Sequence, residues 1–388
     1  MPTAAARRAY QGPALFSFGF RPFFLFGAVW SALVVPLWVW SYLGSGALDR
    51  DWHVHEMLFG FLAAVVAGFL TTAIPNWTGR MPVIGAPLGG LVGLWVAGRL
   101  AMLFETTLGL AAAAIDSLFL VAFATVVWRE VLAGRNWRNL PVCGLVTMLA
   151  AGNIAFHLDP ALAYSGVGER LALGAMIVLI ALIGGRITPS FTRNWMRQRR
   201  LTPEPAVASR LDNTVLAITA LAALAWVAGP QEPLTGIVLG TAGCANVIRL
   251  ARWRGWAAAS EPLVWILHLG YAWLATGLLL LGATRLDPTI PATAGVHALT
   301  AGAVGVMTLA VMTRASRGHT GRPLAADSAT LAIYVAVNLA AAIRTAAPLW
   351  PQAQPALLML SAGLWVMAFG GYAVAYGRML LLPRPAAA

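Results

Sequence analysis

Apolar runs of about twenty residues recur along this chain, each closed by a short polar stretch. At 1.5 Å of rise per residue, a helix of that length crosses a hydrocarbon core about 30 Å thick. Twelve such spans are predicted, near 23–44, 55–75, 86–104, 107–128, 140–158, 163–185, 210–229, 232–249, 260–283, 292–313, 327–346 and 355–379. The ten-residue alternating segments of a membrane barrel are absent from the pattern. Only helices then satisfy the backbone within lipid. The expected fold is all-α, a polytopic transmembrane helix bundle of about twelve spans, organised as a single integral membrane domain over residues 1–388. The two spans within 210–249 are the least clearly divided.

Composition agrees with that pattern. Hydrophobic residues make up 59% of the chain and charged residues 10%, whereas soluble domains carry about 25% charged residues. The net charge of +12 invites a nucleic-acid partner, but its distribution excludes one. Every basic residue is arginine. Arg80, Arg129, Arg135, Arg138, Arg193, Arg197, Arg199, Arg200, Arg252, Arg254, Arg314, Arg317 and Arg322 fall on one alternate set of connections. The opposite set holds only Arg50, Arg170, Arg285 and Arg344, with Arg99 inside a span. The positive-inside rule therefore places both termini in the cytoplasm. Arg7 and Arg8 precede a full-length first span, so no cleavable signal peptide is expected. The stretch 193–200 suits anionic lipid headgroups. Cys143 and Cys244 sit in separate spans, with neither a disulfide framework nor a thiolate metal site implied. Twelve spans are also compatible with two duplicated six-helix halves.

The polar residues left inside the spans carry the chemistry. Trp52-His53-Val54-His55-Glu56 opens the second span, where a charged side chain costs roughly 2.5–3.5 kcal/mol at the bilayer centre and marks a functional candidate. On the inferred topology His53, His55, Glu56, Arg99, Asp116, Asn153, His157 and His297 share the outer half of the membrane. They line one polar site if their helices are neighbours. Neutral imidazole is a frequent ligand for haem iron, copper and zinc. His53 and His55 point about 200° apart on a helix, so one is expected in the core and the other as a cap or a ligand from a frayed turn. His297 has only Ala, Val, Thr and Gly nearby, hence no local partner. Arg99 either pairs with Glu56, Glu105 or Asp116, as a buried cation needs an anion, or holds a haem propionate. His157 is either an interfacial residue or a ligand. His268 lies near the cytoplasmic end of the ninth span and is a candidate ligand for a deeper haem or second metal. His319, in a cytoplasmic connection, is expected to be structural, because the bilayer core separates it from the outer group.

Several blocks resemble the NnrS family. These are Phe18-Gly-Phe-Arg21-Pro22, Trp52-His-Val-His55-Glu-Met-Leu-Phe-Gly, Gly68-Phe-Leu-Thr-Thr-Ala-Ile-Pro-Asn76-Trp77, Gly184-Gly-Arg186-Ile-Thr-Pro, His268-Leu-Gly-Tyr-Ala-Trp, and the run from His297 to Pro323. The resemblance covers almost the whole chain. It implies a multi-pass protein of the bacterial inner membrane that contains haem b and copper, is expressed with denitrification or nitrosative stress, and acts in nitric oxide metabolism. By depth, the expected metal ligands are His53, His55, His297, His268 and His157. Arg99 is the expected cofactor contact, and Glu56 and Asp116 the expected proton carriers. Reduction of two nitric oxides to nitrous oxide needs two electrons and two protons, with an electron donor that the residues do not name. Nitric oxide itself, small and apolar, enters from lipid. Alternatives are a transporter of metal, haem or a nitrosyl metal complex, and a nitric oxide sensor or sequestering protein. Catalytic consumption separates an enzyme from a stoichiometric binder, and a transporter needs no bound haem.

Overall fold

The computed structural model describes residues 10–162 and 166–384. Arg7, Arg8 and the first residues of the expected sixth span, 163–165, lie outside them. Twelve helices are long and apolar enough to cross a membrane: α1 Phe20–Gly44, α2 Arg50–Thr78, α3 Ala86–Leu103, α4 Leu110–Ala133, α5 Trp137–Asp159, α6 Val167–Gln198, α7 Arg210–Ala228, α8 Pro233–Ala251, α9 Pro262–Leu286, α10 Ala292–His319, α11 Ser328–Leu349 and α12 Gln354–Leu381. No strand occurs among the described residues. Each expected span is one helix, including the doubtful pair. Asp212 closes a capping box with Ser209 at the start of α7, and Pro233 opens α8 after the break at Gly229. Ser and Pro at those positions are start signals. Four helices outrun their apolar windows by five residues or more: α2 at its start, and α4, α6 and α10 at their ends, the last reaching His319, which the sequence placed in a connection. The Asp49 carboxylate accepts the Trp52 N–H at 2.8 Å, which starts α2 five residues earlier than the hydropathy does. α6 continues through polar Arg186–Gln198.

Burial divides the bundle into an inner and an outer layer. In α2, α6 and α10 about four-fifths of the apolar window is buried (83, 78 and 78%), against 61% in α9 and 44% or less elsewhere. These three helices recur at intervals of four spans. The burial pattern therefore does not follow the two six-helix halves considered from the sequence. α12 packs against α1 and closes the ring. α2 and α10 are also built alike. Each begins with a six-residue α-helical segment ending in histidine, Arg50–His55 and Ala292–His297. Each continues through a seven-residue π-helix, Glu56–Leu62 and Ala298–Val304, before returning to α-helix. π segments are rare and cluster at functional sites.

The Phe-Arg-Pro block in α1 has a structural role. The buried Arg21 guanidinium donates to the carbonyls of Met379, Leu380 and Leu382 at 3.3, 2.9 and 2.7 Å. The last turn of a helix leaves its carbonyls without partners, and Arg21 supplies a charged cap to α12. Arg21→Ala is expected to cost about 3 kcal/mol, since hydrogen bonds to charged groups contribute roughly 1.5–3 kcal/mol. A lowered thermal midpoint of the detergent-solubilised protein is the readout, and an unchanged midpoint would refute this role.

Candidate functional site

Two adjacent sites form at the end of the bundle where the connections are poor in arginine. The first is a buried charged cluster in which α2 contributes His55 and Glu56, α3 Arg99, α4 Asp116, and α5 Asn153 and His157. His55, Glu56 and Asn153 have no exposed surface, and Arg99 and Asp116 are 3% exposed. Arg99 donates to both Glu56 oxygens at 2.7 Å and also pairs with Asp116. Of the partners considered for Arg99, Glu56 and Asp116 are engaged, while Glu105 is exposed. A lone charge at this depth is costly, and one guanidinium between two carboxylates offsets it. Trp30 of α1 donates to Glu56 at 2.7 Å, and Asn153 donates to Asp116 at 2.7 Å. Gly60 makes the packing possible. A β-carbon there would meet Arg99 Nη1 at 2.8 Å, and Glu56 Oε2 and Trp30 Nε1 at 2.9 Å.

The cluster also offers a metal-ligand set. One donor atom each from His55, Asp116 and His157 lie within 4.8 Å of one another. The Nε2 atoms of His55 and His157 are each 3.0 Å from the same Asp116 oxygen. Adjacent ligands of a metal with bonds of about 2.1 Å at right angles lie about 3.0 Å apart, so the spacing fits. His55 Nδ1 lies 3.0 Å from Glu56 Oε1, the outer carboxylate support that metal-bound imidazoles commonly have. A ring that faces carboxylate oxygens on both sides holds either a second proton or a metal cation.

The second site is a cavity of about 410 Å³ lined by α1, α2, α10, α11 and α12, and by Glu169 and Leu173 of α6. It falls within the roughly 300–1,000 Å³ of cofactor pockets. Apolar walls come from Met57, Phe61, Val304, Leu358 and Trp365, and polar groups from His53, His297, Arg50, Glu169 and Arg344. Three features point to a missing partner. His53 stacks on Trp38 at 4.3 Å, yet its buried Nδ1 has no hydrogen-bond partner. His297 Nδ1 bonds the Thr293 carbonyl at 2.7 Å, so Nδ1 carries the proton and Nε2 keeps a lone pair. Arg344 Nη1 is buried and unpartnered, while Arg50 is satisfied by Asp51 and Glu169.

The single outer site expected from depth is thus two. His53 and His55 diverge by their helical angle, as expected, but neither is a cap: His55 enters the charged cluster and His53 faces the cavity with His297. His297 does have a local partner, the backbone carbonyl one turn earlier, which residue identities do not reveal. His268 stands apart, with Nε2 2.8 Å from Thr192 Oγ1. His319 lies between Phe18 and Phe20, ring centroids 5.5 Å away. Trp30, Trp38, Glu169 and Arg344 were missed by depth alone. Arg344 had a signal, a lone arginine within a helix on the arginine-poor side.

The family model described as NnrS protein matches residues 14–384, which takes in both sites. No curated protein matches the chain.

Proposed function

The chain belongs to the NnrS family and so to nitric oxide metabolism, and on that premise we propose that it removes nitric oxide by reducing it to nitrous oxide, with haem b held in the cavity and copper in the charged cluster. The observation that carries this reading is the division of labour on α2. His53 and His55, two residues apart, serve two different ligand sets, so the two sites are neighbours across one helix. The cavity fits haem: two imidazoles with nitrogens available, apolar walls, and an unpaired guanidinium at Arg344 for a propionate. The cluster fits copper through His55, His157 and Asp116. When bound, the two metals supply nitric oxide binding and electron storage.

The chain's own residues do the rest. His53 and His297 would hold and orient the haem, and Trp38 keeps the His53 ring in place. The apolar wall of Met57, Phe61 and Val304 excludes bulk water and admits nitric oxide from lipid. Glu56, one residue from His55, is positioned by Trp30 and Arg99 to carry protons. The reaction consumes two nitric oxides, two electrons and two protons and yields nitrous oxide and water. In this reading the arginine-rich face is cytoplasmic, both termini lie there, and the membrane is the bacterial inner membrane, so protons reach Glu56 from the periplasmic face.

Purified, metal-loaded protein with a competent reductant and excess nitric oxide, kept anaerobic, should release nitrous oxide over many turnovers. Stoichiometric binding without nitrous oxide would favour sensing or transport instead. Glu56→Gln keeps the shape and one acceptor oxygen but cannot release a proton. It is expected to slow turnover about a hundredfold per bound copper, within the range of general acid–base catalysis, with haem content unchanged. Equal rates would remove Glu56 from the reaction.

A further inference from the structure

A groove of about 510 Å³ opens near the arginine-rich end of α9, lined by Trp256, Ala259, Trp265, His268 and Leu269 among others. Trp256 is 63% and Leu269 40% exposed, so its mouth lies on the outer surface of the bundle. Its floor holds one side chain that can accept a hydrogen bond, His268, 8% exposed and about 9 Å along the helix from Pro262. The hydrogen bonds set its tautomer. Thr192 spends its hydroxyl proton on the Thr188 carbonyl at 2.8 Å, so His268 Nε2–H must donate to Thr192 Oγ1. Nδ1 is left as a bare lone pair, and it is buried without a partner. Leaving such an acceptor unpaired is costly, and buried polar groups are otherwise nearly always bonded. The turn Gly255–Ala258 borders that edge of the ring. A β-carbon on Gly255 would lie 2.6 Å from Nδ1, so only glycine lets the turn pack this closely against the ring.

No other residue lining the groove carries a metal-ligating group or a charge. The site therefore calls for a flat apolar molecule, soluble in the bilayer, that donates one hydrogen bond. We propose that a membrane hydroquinone binds here and is the electron donor, its ring between Trp256 and Trp265 and its hydroxyl donating to His268 Nδ1. The proposal rests on the turnover of nitric oxide set out above. On oxidation both hydroxyl O–H bonds break: one proton passes to His268 Nδ1, the other leaves to water at the arginine-rich face, and the two electrons go to the nitric oxide site. The sum balances: one quinol and two nitric oxides give one quinone, one nitrous oxide and one water.

The test is photolabelling of the full-length protein in lipid nanodiscs with a short-chain azido-ubiquinone, followed by peptide mapping. Label is expected within residues 250–272, where unlabelled decylubiquinone should compete it away. His268→Ala should lower it about tenfold, the cost of one lost hydrogen bond to a buried group. Ala259→Trp, which plugs the groove from an exposed position, should do the same without touching the core. Label spread elsewhere, or undiminished in Ala259→Trp, overturns the proposal. So does loss of a haem absorption band in His268→Ala with labelling intact, because His268 would then be a haem ligand. Labelling confined to the groove in a protein that makes no nitrous oxide upholds the quinol site and sinks only the turnover reading.

Discussion

Exchange of His297 for alanine is expected to abolish the haem Soret band while the protein still inserts into the membrane. His297 sits at the end of the first α-helical segment of α10, and its Nδ1–H is spent on Thr293. Its Nε2 therefore has one task that the protein itself does not fill. Without it the cavity keeps a single imidazole, His53, to hold the haem. His53→Ala should behave in the same way. His55→Ala should instead lose copper, because its ring faces Asp116 and Glu56. Arg344→Gln should weaken haem retention without moving the Soret maximum. Full Soret intensity in His297→Ala would reject the cavity as the haem site, and a Soret band lost in His55→Ala but kept in His53→Ala would reverse the assignment.

Replacement of Asp116 by alanine should be the most destabilising single change in the charged cluster. Its carboxylate meets Arg99, His55, Asn153 and His157 at once. Removal leaves the Arg99 guanidinium with Glu56 alone and two imidazoles facing an empty space. Breaking a buried ion pair from one side costs about 3–5 kcal/mol, a large part of the stability of most folds. The expected result is a sharply reduced yield of folded protein and loss of copper. Asp116→Asn keeps the shape and one acceptor, so it should recover much of the yield but not the copper. Wild-type copper content in Asp116→Asn would exclude Asp116 as a ligand, and wild-type thermal stability in Asp116→Ala would show that the cluster contributes little to the fold.

The sequence by itself determined the number of helices and the identity of the costly residues. Length and apolarity decide that a segment spans a bilayer, and both are local properties, so all twelve spans were legible. The start of α2 and the ends of α4, α6 and α10 were not, because a helix continues past its apolar window wherever caps and polar surface allow. Depth, too, was readable: His53, His55, Glu56, Arg99, Asp116, Asn153, His157 and His297 do lie towards one end of the bundle. What only the tertiary structure decided was their grouping. Depth is one coordinate, whereas a site needs the angle of each side chain and the order of helices around the bundle. That order is set by packing between segments far apart in the chain, such as α2 beside α10 and α12 closing on α1. Two residues of spacing therefore sent His53 and His55 into different sites, and a backbone carbonyl, invisible to residue identity, set the tautomer of His297. Arg344 became informative only when its Nη1 could be seen buried without a hydrogen-bond partner, since an arginine in a sequence is charged in any case and only its surroundings show which of its donors are satisfied.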